Sequence, residues 1–274
     1  SGPAASAIGG RFLSQRDDAL VLDVGGTTTD LALIEDGEVT VSEEGATVGD
    51  YETAVSAADL FSVALGGDSH ITLSRENRIA LGPERVVPLA HLAGEYPSVR
   101  KRLQALSRRA WSEAGRDWLE YWFLLRKPDE DEMPQSAQAR KLVEFLSNGP
   151  KAVHEIVDHL DVLHVAQITM DELWREEILG KSGLTPTDLL HVEGRYAPWD
   201  VEAADLALKI FAHHQFKEPD EIREAVWLKA VEMIVHAVVT FLSKQTLKSP
   251  TETRREGEDD IGRWFFFNSI YDTH

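Results

Sequence analysis

Residues 20–30 read LVLDVGGTTTD. An apolar run with Asp23 inside it meets two glycines, three threonines and a second acid, Asp30. Gly25 and Gly26 let the backbone turn tightly and bring successive N–H groups toward an anion, while Thr27, Thr28 and Thr29 add hydroxyl donors. A phosphate chain suits such a loop. Carboxylates on both sides of it make chemical sense when Mg²⁺ lies beside the phosphates, held through water, or when one carboxylate orients an attacking group. The pattern leaves two readings open: a phosphate-binding hairpin with Asp23 and Asp30 on metal or water, and an ordinary hairpin turn with threonines on an exposed edge.

Outward from this stretch, Ala19–Val24, Asp30–Glu35 and Glu38–Ser42 read as three β-rich runs of a meander. Asp36-Gly37 joins the last two as a two-residue hairpin turn. Residues 3–14 predict a helix with Pro3 in its first turn, weakened by Gly9 and Gly10. Leu60–Leu65 and His70–Ser74 form a further strand pair around GGDS, so the first hundred residues are mostly sheet. From Ser98 the spacing of Leu103, Leu106, Ala110, Ala114, Trp118, Tyr121 and Leu125 predicts one helix over Val99–Lys127, ended by Pro128 and an acidic run. Three short helices follow. In GLTPTDLLHV, Thr185 is the N-cap, Pro186 the first helical residue and Asp188 lies in the first turn. Helices over Val201–Phe216 and Asp220–Leu247 complete the chain, the last so apolar that burial is expected.

The 274 residues carry a net charge of −19, 43% hydrophobic residues and no cysteine. A core independent of disulfides and a reducing, cytoplasmic setting are expected. No apolar run approaches the roughly 18 uncharged residues of a membrane span, and the start lacks the pattern of a signal peptide. The acidity argues against an extended nucleic-acid surface. The first hundred residues hold six arginines against sixteen acids, the first lysine is Lys101, and no GK[ST] occurs. A nucleotide here must therefore be neutralised by a metal and backbone amides. The chain opens on SGPAAS without methionine and closes on an aromatic cluster, Trp264 to Phe267, so a piece of a longer protein is expected.

Other motifs have plainer explanations. Asp68 in LGGDSH has the position of a metal or ribose ligand, but a turn aspartate commonly bonds its own backbone. Eight basic residues over 99–127 read as a solvated face. His154, His159 and His164 recur every five residues, which scatters them around a helix, and adjacent His213 and His214 diverge too. Residues 140–192 follow a winged-helix outline, yet nine acids against five basic residues would repel DNA. A protein-contact or structural role is expected there.

Four blocks, SGPAASAIGG, LVLDVGGTTTDLALIEDGEV, ALGGDSHI…IALGPE and GLTPTDLLHVEGRYAPWDVEAA, resemble in that order the hydantoinase A and oxoprolinase family. The resemblance implies an actin-like ATPase architecture, in which two ribonuclease-H-like halves clamp Mg-ATP. Gly25 to Thr29 would then meet phosphates, with Gly66 and Gly67 where the family usually has GGGS. Asp23 would be catalytic, and Asp23 and Asp30 would hold Mg²⁺. The implied reaction is ATP-dependent opening of a cyclic amide, with carboxylase relatives leaving the substrate class open. VVPLAHLAGEYPSV replaces a glycine- and proline-rich segment of the family, and its facing half is not in this chain. The expected fold is α/β: a ribonuclease-H-like half-domain from 1–96 plus 183–274, with a large all-helical insertion at 97–182. Expected partners are a small cyclic amide and further domains or a second subunit, with no nucleic acid and no membrane. The alternative is a nucleotide-binding scaffold or regulatory module without chemistry of its own.

Overall fold

Asp36 and Gly37 both adopt positive φ, 50° and 78°, as the tight turn read from the sequence requires. This computed structural model describes residues 2–42, 47–48, 51–52, 57–108, 119–129, 132–168, 170–248 and 267–268. The helix α1 (Gly2–Ser14) leads into β1 (Ala19–Val24), β2 (Thr29–Glu35) and β3 (Glu38–Val39). Short strands β4 (Val41–Ser42), β5 (Thr47–Val48), β6 (Tyr51–Glu52) and β7 (Ala57–Ala58) precede β8 (Leu60–Val63), β9 (Ser69–Leu73), β10 (Ile79–Arg85) and β11 (Val87–Pro88). Next come α2 (Leu89–Glu95), α3 (Pro97–Leu106), β12 (Tyr121–Leu124), α4 (Ala137–Leu146), β13 (Lys151–Ala152), α5 (Val153–Leu160), α6 (Asp171–Arg175) and β14 (Leu179–Gly183). The chain continues through α7 (Pro186–Val192), α8 (Val201–His214), α9 (Pro219–Lys248) and β15 (Phe267–Asn268). Two compact units result: residues 1–67 with 230–274, and residues 68–229.

In the first unit, β15, β1, β2 and β3 lie in that order, with β8 also paired to β2. Side chains alternate across a sheet. One face therefore presents Leu20, Leu22, Leu31 and Leu33, which pack with Phe61 and Val63 against Ala237, Val238 and Phe241 of α9. The opposite parity carries Val21, and α1 approaches it closely: a Cβ on Gly10 would sit 3.1 Å from both Val21 methyls. Gly10 thus permits a close helix-to-sheet contact. The expected burial of α9 is corrected, because Val231, Val235 and Val239 are each more than half exposed. Only the stripe containing Ala237 and Phe241 lies on the sheet. By length and composition Pro219–Gln245 could also cross a membrane.

In the second unit, β9 pairs antiparallel with β10, and a four-stranded sheet runs β11, β14, β12, β13. The expected pairing of the strands around GGDS is therefore corrected: β8 bonds to β2, and β9 bonds to β10. The single helix over Val99–Lys127 is corrected as well. The helix α3 ends at Leu106, and Tyr121–Leu124 is a strand between β14 and β13. Tyr121, Trp122 and Phe123 are buried on both faces, which favours an aromatic strand whatever the 3- and 4-residue spacing around it. The 97–182 segment is consequently mixed rather than all-helical. It shares a sheet with a flanking segment, since β11 pairs parallel with β14. The helices α4, α5 and α6 cover one apolar cluster that includes Trp122, Leu142, Ile156, Leu173 and Ile178.

One carboxylate ties two helices of this unit together. Thr185 caps α7, with Pro186 and Asp188 in its first turn, as the sequence implies. Asp188 is wholly buried and accepts from the Ala90 amide at 2.7 Å, the Leu89 amide at 3.2 Å, and the Thr185 amide and hydroxyl at 2.9 Å each. It therefore caps α2 and α7 together. Burial pushes its pKa up to about 6, against the pull of those four donors. Asp188→Ala should cost about 3 kcal/mol or more, since it leaves three buried amides and a hydroxyl without their acceptor. Because the folded pKa lies above the unfolded one, near 3.9, this group's contribution is fully present below about pH 4 and lost as pH rises through about 6. In urea unfolding, the advantage of the wild type over Asp188→Asn should grow by roughly 2–3 kcal/mol between pH 7 and pH 4.

Candidate functional site

The register of β1 against β2 sets Val24 opposite Thr29 and Asp23 opposite Asp30. The hairpin closes with the Gly25 amide donating to the Thr28 carbonyl at 2.9 Å, so Gly26 and Thr27 form its tip. Residues 25–28 are half-buried. The cover comes from the second glycine motif. A Cβ on Gly66 would fall 2.5 Å from the carbonyl carbon and oxygen of Gly26 and 2.6 Å from the Gly25 oxygen, a separation that only glycine allows. The Gly67 amide donates to the Gly25 carbonyl at 3.0 Å, and the buried Thr29 hydroxyl donates to the Leu65 carbonyl at 2.8 Å. Both glycine motifs meet here.

The polar groups divide into satisfied and unsatisfied sets. Asp30 accepts from the Thr28 hydroxyl at 3.1 Å and from the Ser62 hydroxyl. By contrast, the Asp23 carboxylate forms no hydrogen bond or ion pair among the described residues, and neither do the amides of Gly26, Thr27 and Thr28. Like charges directly opposite on neighbouring strands destabilise a sheet. A cation between Asp23 and Asp30 removes that cost, and three free amides in succession accommodate an anion.

The sequence candidates thus separate by place. Asp23, Gly25 to Thr29, Asp30, Gly66 and Gly67 are brought together, although the Thr29 hydroxyl is engaged in holding the LGG turn. Asp68 and His70 belong to the other unit. Burial raises the Asp68 pKa, with Arg85 and His91 pulling the other way. Ser62 is a participant the sequence did not reveal, because a serine in LFSV carries no signal until β8 is laid beside β2. Among the described residues no group of three or more His, Asp or Glu could hold a metal. The histidine series is structural where its contacts are given: His159 stacks on Phe145 at 3.9 Å, and His164 Nδ1 accepts from the Ala166 amide.

Residues 1–104 match the hydantoinase/oxoprolinase family. The match takes in the hairpin and the LGGDS turn, while GLTPTDLLHV lies beyond it. Among solved structures, nucleotide-free acetone carboxylase, described by its mechanism of ATP-dependent acetone carboxylation, is 30% identical over 31% of this chain, with a TM-score of 0.28. The aligned part is 12% of the acetone carboxylase chain. No curated protein matches.

Gly66→Ala should destabilise the chain by about 1–3 kcal/mol, the usual cost of overpacking, because its new methyl meets backbone. Gly9 has nothing within 4 Å of its would-be Cβ, so Gly9→Ala should stabilise α1 by roughly 0.5–1 kcal/mol. Denaturant midpoints of the two variants, measured side by side, test the close approach.

Proposed function

We propose that the β1–β2 hairpin binds the phosphates of ATP in an enzyme that activates a small carbonyl or cyclic-amide substrate. The observation that carries this reading is the pairing of three unengaged tip amides with two opposed carboxylates, one of them unpartnered. The amides of Gly26, Thr27 and Thr28 would face phosphate oxygens, and Asp23 would hold Mg²⁺ through water or orient the attacking group. Asp30, already fixed by Thr28 and Ser62, would supply the second charge for the cation. These donors fit the group. The match of residues 1–104 to the hydantoinase/oxoprolinase family supports the same reading, as does the ATP dependence in the description of acetone carboxylase.

When bound, ATP supplies the chemistry that an amide lacks, since phosphorylating its carbonyl oxygen turns a poor leaving group into a good one. The chain's own residues then have three tasks: hold the phosphates, neutralise their charge, and keep the reacting water oriented. The sheet order also favours a ribonuclease-H-like half. Strands β1, β2 and β3 are an antiparallel meander, and β15 lies parallel to β1 on the outer side.

In the intact enzyme, Asp23→Asn should leave the circular dichroism spectrum unchanged and lower ATP-dependent turnover about a hundredfold or more, as loss of one pre-set electrostatic group does. Phosphate release measures it. Unchanged turnover would remove Asp23 from the mechanism, whereas retained Mg-ATP binding without hydrolysis by the wild type would favour the scaffold reading.

A further inference from the structure

Apart from the hairpin, the second unit contains a cavity of about 180 Å³ whose lining includes His70, Leu73, Glu120, Leu184, Phe211 and His214. Its wall is largely apolar, and two of its lining residues, Glu120 and His70, are linked to charges outside the lining. Lys181 Nζ lies 2.6 Å from Glu84 Oε1 and 3.2 Å from Glu120 Oε1, while His70 Nδ1 lies 3.5 Å from Glu84 Oε2. Glu120 Oε1 also accepts from Trp122 Nε1 at 2.8 Å. Both contacts of Glu120 therefore fall on one oxygen, and its Oε2 takes no partner among the described residues.

The contacts with His70 and Lys181 hold Glu84 down at about 2 despite its burial, so it is ionised. For Lys181, burial lowers the pKa, but Glu120 and Glu84 together outweigh it and raise the net value. One ammonium, Lys181, lies between two carboxylates, and of these three groups only the Glu120 carboxylate lines the cavity. Burial, with His213 adding to it, pushes the His214 pKa below the ordinary range.

We propose that this cavity binds a small aliphatic ammonium ion. The ammonium meets the Glu120 carboxylate through a charge-assisted hydrogen bond, in a cavity that Phe211 also lines. The alkyl part lies against Leu73 and Leu184. An organic anion of the same size is repelled by the Glu120 charge, and a neutral alcohol lacks the stronger bond. This site is independent of the phosphate reading, since none of its residues belongs to the hairpin.

Calorimetry on the 274-residue chain at pH 8 and low salt, with n-butylammonium, n-butanol and butyrate as probes, tests the proposal. The expected result is saturable binding of n-butylammonium, at least tenfold weaker binding of n-butanol, and none of butyrate. Glu120→Gln keeps an acceptor for Trp122 while removing the charge, and should weaken n-butylammonium binding at least tenfold. Absence of n-butylammonium binding, or equal binding of n-butanol, overturns the proposal on the wild type alone, whether or not the variant folds. A folded Glu120→Gln chain that binds n-butylammonium unchanged overturns it as well.

Discussion

The approach of Gly66 to the carbonyls of Gly25 and Gly26 is the constraint on which the hairpin depends. A two-residue turn with two glycines is by itself a loose element, because glycine loses more freedom on folding than any other residue. Here one side of the tip is covered by a second backbone, the Gly67 amide binds the Gly25 carbonyl, and the Thr29 hydroxyl secures Leu65. These contacts act on carbonyl oxygens. They direct the carbonyls of the tip toward protein and leave the amides of Gly26, Thr27 and Thr28 available, which is the polarity an anion site needs. A side chain at position 66 is thus incompatible with this close approach to the tip.

How much of this was legible in the sequence follows the range of the interactions. Features set by neighbouring residues were readable: the Asp36-Gly37 turn needs positive φ, and the Thr185, Pro186 and Asp188 cap is a local arrangement. The Asp23 and Asp30 pair was half readable, since their places in the two strands were plain but the register that opposes them was not. Features set by distant partners were hidden. Tyr121–Leu124 follows a helical spacing in the sequence, yet becomes a strand because β13 and β14 pair with its two edges and its aromatic side chains are buried on both faces. Likewise, the apolar composition of α9 pointed to burial, whereas only the Ala237 and Phe241 stripe finds a sheet to cover.

Ser62 and Asp188 show the same limit from the polar side. Nothing in LFSV marks a serine that reaches Asp30, and nothing in PTD marks an aspartate that also caps a helix 98 residues earlier. Both roles come from tertiary proximity. A buried acceptor must find donors, and the donors it finds are invisible until the strands and helices are placed.

That rule also ranks the acids of a chain whose net charge is −19. Burial is costly for a carboxylate unless donors or cations compensate it. Asp188 has four donors, Glu84 has Lys181 and His70 beside it, and Asp30 has two hydroxyls. Asp23 differs: half-buried and directly across from another acid, it takes no donor among the described residues. A structural acid in that position would be a liability, because the same fold elsewhere supplies compensation wherever a carboxylate is enclosed. On the proposed reading, a cation from outside the chain would relieve that cost, and the adjacent amides would receive the anion that such a cation brings.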